Sequence, residues 1–122
     1  MARNAPVWAE GQAGQTLVVN GVDSGVPLWV ADRRRERRIG LLGTDDLDGA
    51  LWITRCSSVH CVGMRYTIDV VHVTRTGRVL SVRSMPPGRV GLPRLRAAAV
   101  VELPAGQAAR LGIEPGGHLA RR

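Results

Sequence analysis

Between Val59 and Leu80 the chain passes from a polar turn into Ile68-Asp69-Val70-Val71-His72-Val73, breaks around Thr76-Gly77, and resumes at Val79-Leu80-Ser81-Val82-Arg83. Two β-branched runs joined at a glycine turn commit the middle of the chain to a β-hairpin. The second run alternates, with Leu80 and Val82 on one face and Ser81 and Arg83 on the other, the period of a strand that buries a single side.

The rest of the chain extends this pattern. Thr16 to Val19 is a short strand stopped by the two-residue turn Asn20-Gly21. Val26 to Ala31 is a second strand, whose Pro27 places its start at an edge. Ala50 to Ile53 and Ala98 to Leu103 are further strands, and a last short one follows Gly116-Gly117. Asp32 is a suitable N-cap for a helix through Arg38 that Gly40 or Gly43 can end. Pro104 suits the first turn of a second helix running through Leu111 and closed by Gly112. The loop from Met85 to Pro93 holds interior prolines that exclude a central strand or helix.

About seven short strands, two short helices, no βαβ alternation and no repeat predict a mainly β (α+β) fold, a single compact β-sandwich or barrel-like domain. A chain of 122 residues supports one such core. With no Phe and one Tyr, that core is aliphatic, supplemented by three Trp. Residues 1–13, rich in Ala, Asn, Pro, Gly and Gln, read as a flexible N-terminal arm, and 14–122 as the domain.

All 17 basic side chains are Arg, and the net charge is +7. Such a balance favours anionic partners, and the run Arg33-Arg34-Arg35-Glu36-Arg37-Arg38 is the strongest cue toward nucleic acid. The aromatic residues needed for base stacking are dispersed along the chain at Trp8, Trp29, Trp52 and Tyr66, and a solvated helix face explains the same run. No apolar run approaches the roughly 20 residues that cross a bilayer, and the first residues lack a secretory pattern. The chain reads as a cytoplasmic monomer whose Cys56 and Cys61 are reduced thiols.

Four blocks of the sequence together resemble the DUF192 family, a group of small domains without an assigned activity. They are Ala31 to Gly43; the strand Ala50 to Ile53; His60, Met64 and Ile68-Asp69-Val70-Val71 leading to Gly77; and Val100 to Gly106 with Leu111 to Gly116. The resemblance spans roughly Leu28 to Leu119 and implies a compact, mainly β domain with a short helix near each end. Two positions depart from the family pattern. His72 stands where Phe is usual, and Gly117 replaces an acidic residue.

Chemistry must come from few residues. Cys56, His60, Cys61 and His72 are the one conceivable zinc set, but His60 and Cys61 are adjacent and point opposite ways on a strand. No nucleophile signature surrounds either thiol. The sequence therefore points to no metal, no cofactor and no catalytic residue. Asp69 and Glu102 lie inside apolar runs, where a carboxylate needs a hydrogen bond or an Arg partner, so anchoring of structure is the first expectation for both. The candidate pocket is Arg38, His60, Met64, Arg65, Asp69 and Glu102, where converging cations and carboxylates would suit a small polar or anionic ligand. The alternatives are a basic protein that binds nucleic acid through Arg33, Arg34, Arg35, Arg37 and Arg38, and a hydrolase, which requires a nucleophile bonded to a histidine.

Overall fold

The β-branched runs become strands wherever a turn residue frees the chain to reverse. The structure, a computed structural model describing residues 3–122, has β1 (Gln15–Val19), β2 (Val22–Ala31), β3 (Ala50–Thr54), β4 (Ile68–Val73), β5 (Val79–Met85), β6 (Ala99–Pro104) and β7 (Leu119–Arg121). Helix α1 (Arg34–Ile39) lies between β2 and β3, and α2 (Gln107–Arg110) between β6 and β7. The strands form one mixed sheet in the order β5-β4-β6-β3-β2-β1-β7. The two ends of that order meet. The Val79 N–H donates to the Gly117 carbonyl at 2.9 Å, the Gly116 N–H to the Val79 carbonyl at 2.8 Å, and the Leu119 N–H to the Gly77 carbonyl at 2.8 Å. The sheet thus curls into a barrel, which is how a small all-β domain removes its open edges.

Three local expectations are corrected. β2 and β3 pair in parallel, Leu28 with Ala50 through Ala31 with Ile53, so the chain does hold one β-α-β crossover built around α1. The expected helix is present, but with Ile39 as its sole apolar side chain it carries no apolar face to show how the flanking strands pair. Asp32 is not the N-cap; Arg33 is. The Asp32 carboxylate instead accepts from Thr54 Oγ1 at 2.8 Å, and Glu36 Oε1 accepts from the backbone N–H groups of Asp32 and Arg33 at 3.2 and 3.0 Å. Pro104 closes β6 rather than opening α2, which starts after Gly106 in a left-handed conformation.

Each face of the sheet buries its own cluster. Inside the barrel lie Leu17, Leu28, Trp52, Val71, Leu103 and Leu119. Outside, Ala31, Leu51, Ile53, Ile68, Val70 and Val100 are covered by loops rather than a second sheet, through Leu41, Leu47 and Cys61 with Trp8, Met64 and Tyr66 partly buried around them. β4 is buried at all six positions because both clusters use it. Residues 3–8 run along this cover. The Asp45 and Asp48 N–H groups donate to the Arg3 and Asn4 carbonyls at 2.8 and 2.9 Å, and Trp8 Nε1 donates to the Gly40 carbonyl at 3.0 Å.

Barrel closure depends on Gly77. Its φ is +90°, and a Cβ there would run into the Leu119 carbonyl oxygen and the His118 ring. Gly88 has a similar φ of +84° but open space around it. Gly77→Ala is expected to cost about 3 kcal/mol, strain plus clash, and Gly88→Ala only about 1 kcal/mol, strain alone. Thermal unfolding of the two variants beside wild type checks this, and equal losses would mean that the closing seam is not tight at Gly77.

Candidate functional site

Strand register decides which side chains can meet. β6 runs between β3 and β4, and Glu102 pairs with Leu51 on one side and Val70 on the other. Directly opposed residues share a face, so Glu102 joins the outer cluster, beneath α1 and the segment 56–64. There it forms the floor of a cavity of about 80 Å³ that Arg37, Arg38, Cys56, His60 and Met64 help to line. That space holds two or three water-sized groups.

The floor is electrostatically unusual. Glu102 is 5% exposed, and no hydrogen bond or ion pair reaches its carboxyl among the described residues. Burial pushes it from 4.5 up to about 7. Burial and the nearby Glu102 charge push the Cys61 thiol up to about 11, and burial raises Cys56 as well. Neither thiol is a ready nucleophile at neutral pH. Tyr66 is pushed up to about 12 by burial, and its hydroxyl lies 2.8 Å from Thr44 Oγ1. Arg37 Nε is buried without a partner, while its terminal nitrogen reaches the Arg55 carbonyl at 3.4 Å.

Four of the six residues expected from sequence therefore line one cavity: Arg38, His60, Met64 and Glu102. The other two are elsewhere. Asp69 is paired with Leu103, one residue out of phase with Glu102, so it points to the opposite face. Its Oδ2 accepts the Gly106 and Ala108 N–H groups at 2.9 and 3.0 Å and holds the start of α2. Arg65 reaches Asp45 at 2.7 Å across the loop cover. The conceivable zinc ligands are likewise divided. Cys56 and His60 line the Glu102 cavity, and His72 lies in a different concavity. No group of three or more metal-ligating side chains forms among the described residues.

That second concavity, of about 610 Å³, opens on the same outer face between the β4–β5 hairpin and the loop after Met85. His72, Arg83, Arg89 and Arg94 line it. Sequence reasoning missed it, although His72 in the place of Phe was a signal. The ring of His72 meets Ser81 Oγ at 3.2 Å through Nδ1, a buried serine–histidine pair. A general base needs its cation stabilised, and here burial, Arg94 and Arg83 hold the imidazole below its ordinary value, against a weaker pull from the Ser57 backbone. Nε2 makes no hydrogen bond of proper geometry, so no carboxylate orients the ring. The pair thus differs from a serine–histidine–carboxylate triad among the described residues.

A small closed barrel with a loop-covered outer face carrying a buried carboxyl defines the class of domain. The chain belongs to the DUF192 family, described as "Uncharacterized ACR", whose sequence pattern matches residues 16–120. A crystal structure of a protein of unknown function from Novosphingobium aromaticivorans DSM 12444 is similar over 98% of this chain and 92% of its own, with TM-score 0.77 and 22% identity. Another, from Sinorhizobium meliloti 1021 and described as a "putative transcription regulator", is similar over 93% and 98%, with TM-score 0.74 and 17% identity. Both show the same fold. A comparison with the curated proteins finds no match. No helix among the described residues is long and apolar enough to cross a membrane.

The raised value of Glu102 makes a prediction about stability. Between 4.5 and about 7 the native state holds a proton that the unfolded chain has released, so stability falls as pH rises through that window and stays reduced above it. The accumulated loss is on the order of 3 kcal/mol. Glu102→Gln removes the titration, so the variant should gain on wild type by about that amount between pH 4 and pH 8. Urea unfolding at the two pH values measures the difference, and parallel behaviour of both proteins would show that Glu102 is ionised at no cost.

Proposed function

We propose that this domain is a small-ligand-binding or accessory module whose site is the cavity over Glu102. The observation that carries the reading is a buried carboxyl with no protein partner facing a cavity rimmed by arginine. Burying a polar group unpaired costs about 1–3 kcal/mol, and a hydrogen-bond donor from outside the chain would relieve it. Arg37 and Arg38 at the rim supply the complementary requirement, an anionic or acceptor group. A ligand with a donor at one end and an anion a few atoms away satisfies both, and the small volume limits it to a compact head group. Arg65 and Asp69 are left out of the site in this reading. The free thiols of Cys56 and Cys61 suit a reducing compartment, which supports a cytoplasmic setting.

Amide shifts in ¹⁵N NMR spectra test the site with three probes: glycine (donor and anion), acetate (anion alone) and urea (neutral donor). Glycine should move the amides of Gly40, Ile53 and His60 more than either single-function probe, and Glu102→Gln should reduce its effect at least threefold. If no probe moves those amides, the cavity is not a binding site.

A second reading, association with nucleic acid, is favoured by Arg33, Arg34, Arg35, Arg37 and Arg38, none of which forms an ion pair among the described residues. The description of the Sinorhizobium meliloti neighbour agrees with it. In this reading affinity for a single-stranded oligonucleotide falls steeply with salt, and each α1 arginine replaced by Gln lowers the log–log slope by about 0.7. Anisotropy titrations between 50 and 200 mM salt decide it; undetectable binding at the lowest salt removes this reading.

A further inference from the structure

The groove beside His72 has a chemistry of its own, built from residues separate from the Glu102 cavity. Register explains how it forms. His72 pairs with Ser81 and Val70 with Arg83, so His72 and Arg83 stand diagonally on one face of the β4–β5 hairpin. Arg89 and Arg94 arrive from the loop that follows β5. That loop is pinned to the segment 57–61 by backbone hydrogen bonds. The Cys61 N–H donates to the Arg89 carbonyl at 2.7 Å, the Gly91 N–H to the Val59 carbonyl at 3.0 Å, and the Arg94 N–H to the Ser57 carbonyl at 3.1 Å. Gly91 fits because a Cβ there would meet the Val59 carbonyl oxygen at 2.9 Å. The arginines are therefore carried on a fixed backbone.

No carboxylate lines the groove, and none of the three arginines forms an ion pair among the described residues. His72 is 3% exposed, and its Nε2 is buried without a partner. Three guanidinium groups without an ion-pair partner and no carboxylate give this concavity a cationic lining. The groove is far larger than a bare anion needs. Val90 and Leu92, 66% and 82% exposed, stand at its edge with Pro93, an apolar surface that a ligand body would cover. Its volume lies within the range of small-molecule sites. By contrast, the third concavity, beside the N-terminal arm, sets Glu10 and Glu36 against Arg33 and Arg35 and so has no charge preference.

We infer that the groove formed by His72, Arg83, Arg89 and Arg94 binds a small phosphomonoester of about mononucleotide size. The guanidinium forks take the phosphate, since Arg matches phosphate oxygens two at a time, and the His72 ring forms part of the groove wall. A planar or apolar body lies against Val90, Leu92 and Pro93, where a guanidinium can also stack on it.

Calorimetric titration of the full chain at 150 mM salt with adenosine monophosphate, adenosine and inorganic phosphate tests the assignment. Adenosine monophosphate should bind, adenosine should not, and inorganic phosphate should bind at least fivefold more weakly. Arg83→Gln with Arg94→Gln should weaken adenosine monophosphate at least tenfold. Arg75→Gln with Arg110→Gln, which removes the same charge from exposed positions elsewhere, should change it less than twofold. His72→Phe, which restores the residue more usual in the family pattern, should weaken binding severalfold while circular dichroism reports an unchanged fold. No heat with adenosine monophosphate overturns the site. So does equal weakening in the Arg75/Arg110 variant, which marks general charge attraction only. Phosphate binding as tightly as the nucleotide overturns the ligand body. Glu102→Gln should leave all three titrations unchanged, so failure here and failure at the Glu102 cavity are read separately.

Discussion

The pairing of β6 with β3 and β4 is the constraint on which the rest of this domain depends. A strand exposes alternate side chains to opposite faces, so one register fixes at once which residues of 99–104 enter the barrel and which leave it. With Val70 opposite Glu102, Val101 and Leu103 fill the interior and Glu102 joins Leu51, Val70 and Val100 outside. A slip of one residue would put the carboxyl among Leu17, Leu28 and Leu119, with nothing to solvate it. The aliphatic interior thus selects the register, and the register places the carboxyl where loops, rather than another sheet, close over it.

That cover explains why the Glu102 cavity and the His72 groove both lie on the outer face. A second sheet packs ridge to ridge and leaves few gaps. The cover here is irregular: α1 and the residues around Leu41 on one side, the segment 56–66 in the middle, and the loop after Met85 on the other. Irregular backbone carries its own polar groups, and these are satisfied by segment-to-segment hydrogen bonds such as Gly88 N–H to the Cys61 carbonyl at 2.7 Å. Residues 57–61 contribute to the wall of the Glu102 cavity and anchor the loop that walls the His72 groove. Both concavities are gaps left where this segment meets its neighbours.

Sequence made the strands legible because they are short, β-branched and bounded by Gly, Pro or Asn-Gly; Ile68–Val73 coincides with β4. The helix was legible from its arginines and flanking turn residues, but the parallel pairing of β2 with β3 was not, because it joins segments about 20 residues apart. The site was half legible for a single reason. A carboxylate inside an apolar run needs a hydrogen-bond partner or a polar space; Asp69 has the first and Glu102 faces the second, because their faces differ by strand register, a property of pairing between distant segments. Asp69 thus became the cap of α2 and Glu102 the floor of a cavity. Arg65 failed for a similar reason, since its partner Asp45 lies 20 residues away in the loop cover. Arg83, Arg89 and Arg94 have no sequence spacing that unites them; a hairpin and a pinned loop do so.

Composition counts charges, and the fold decides which remain active. Asp32, Asp45 and Asp23 each stand beside an arginine, Arg55, Arg65 and Arg122, on exposed surface where such pairs add little to stability. Charge is paired at those three places, whereas the arginines of α1 and those around His72 form no ion pair among the described residues. The number of arginines alone does not account for that separation. The separation follows from which loops carry acids, the turn 44–48 and the ends of β2, and which carry none, the stretch from Met85 to Arg96. Both sets of arginines border a concavity: Arg37 and Arg38 line the Glu102 cavity, and Arg83, Arg89 and Arg94 line the His72 groove.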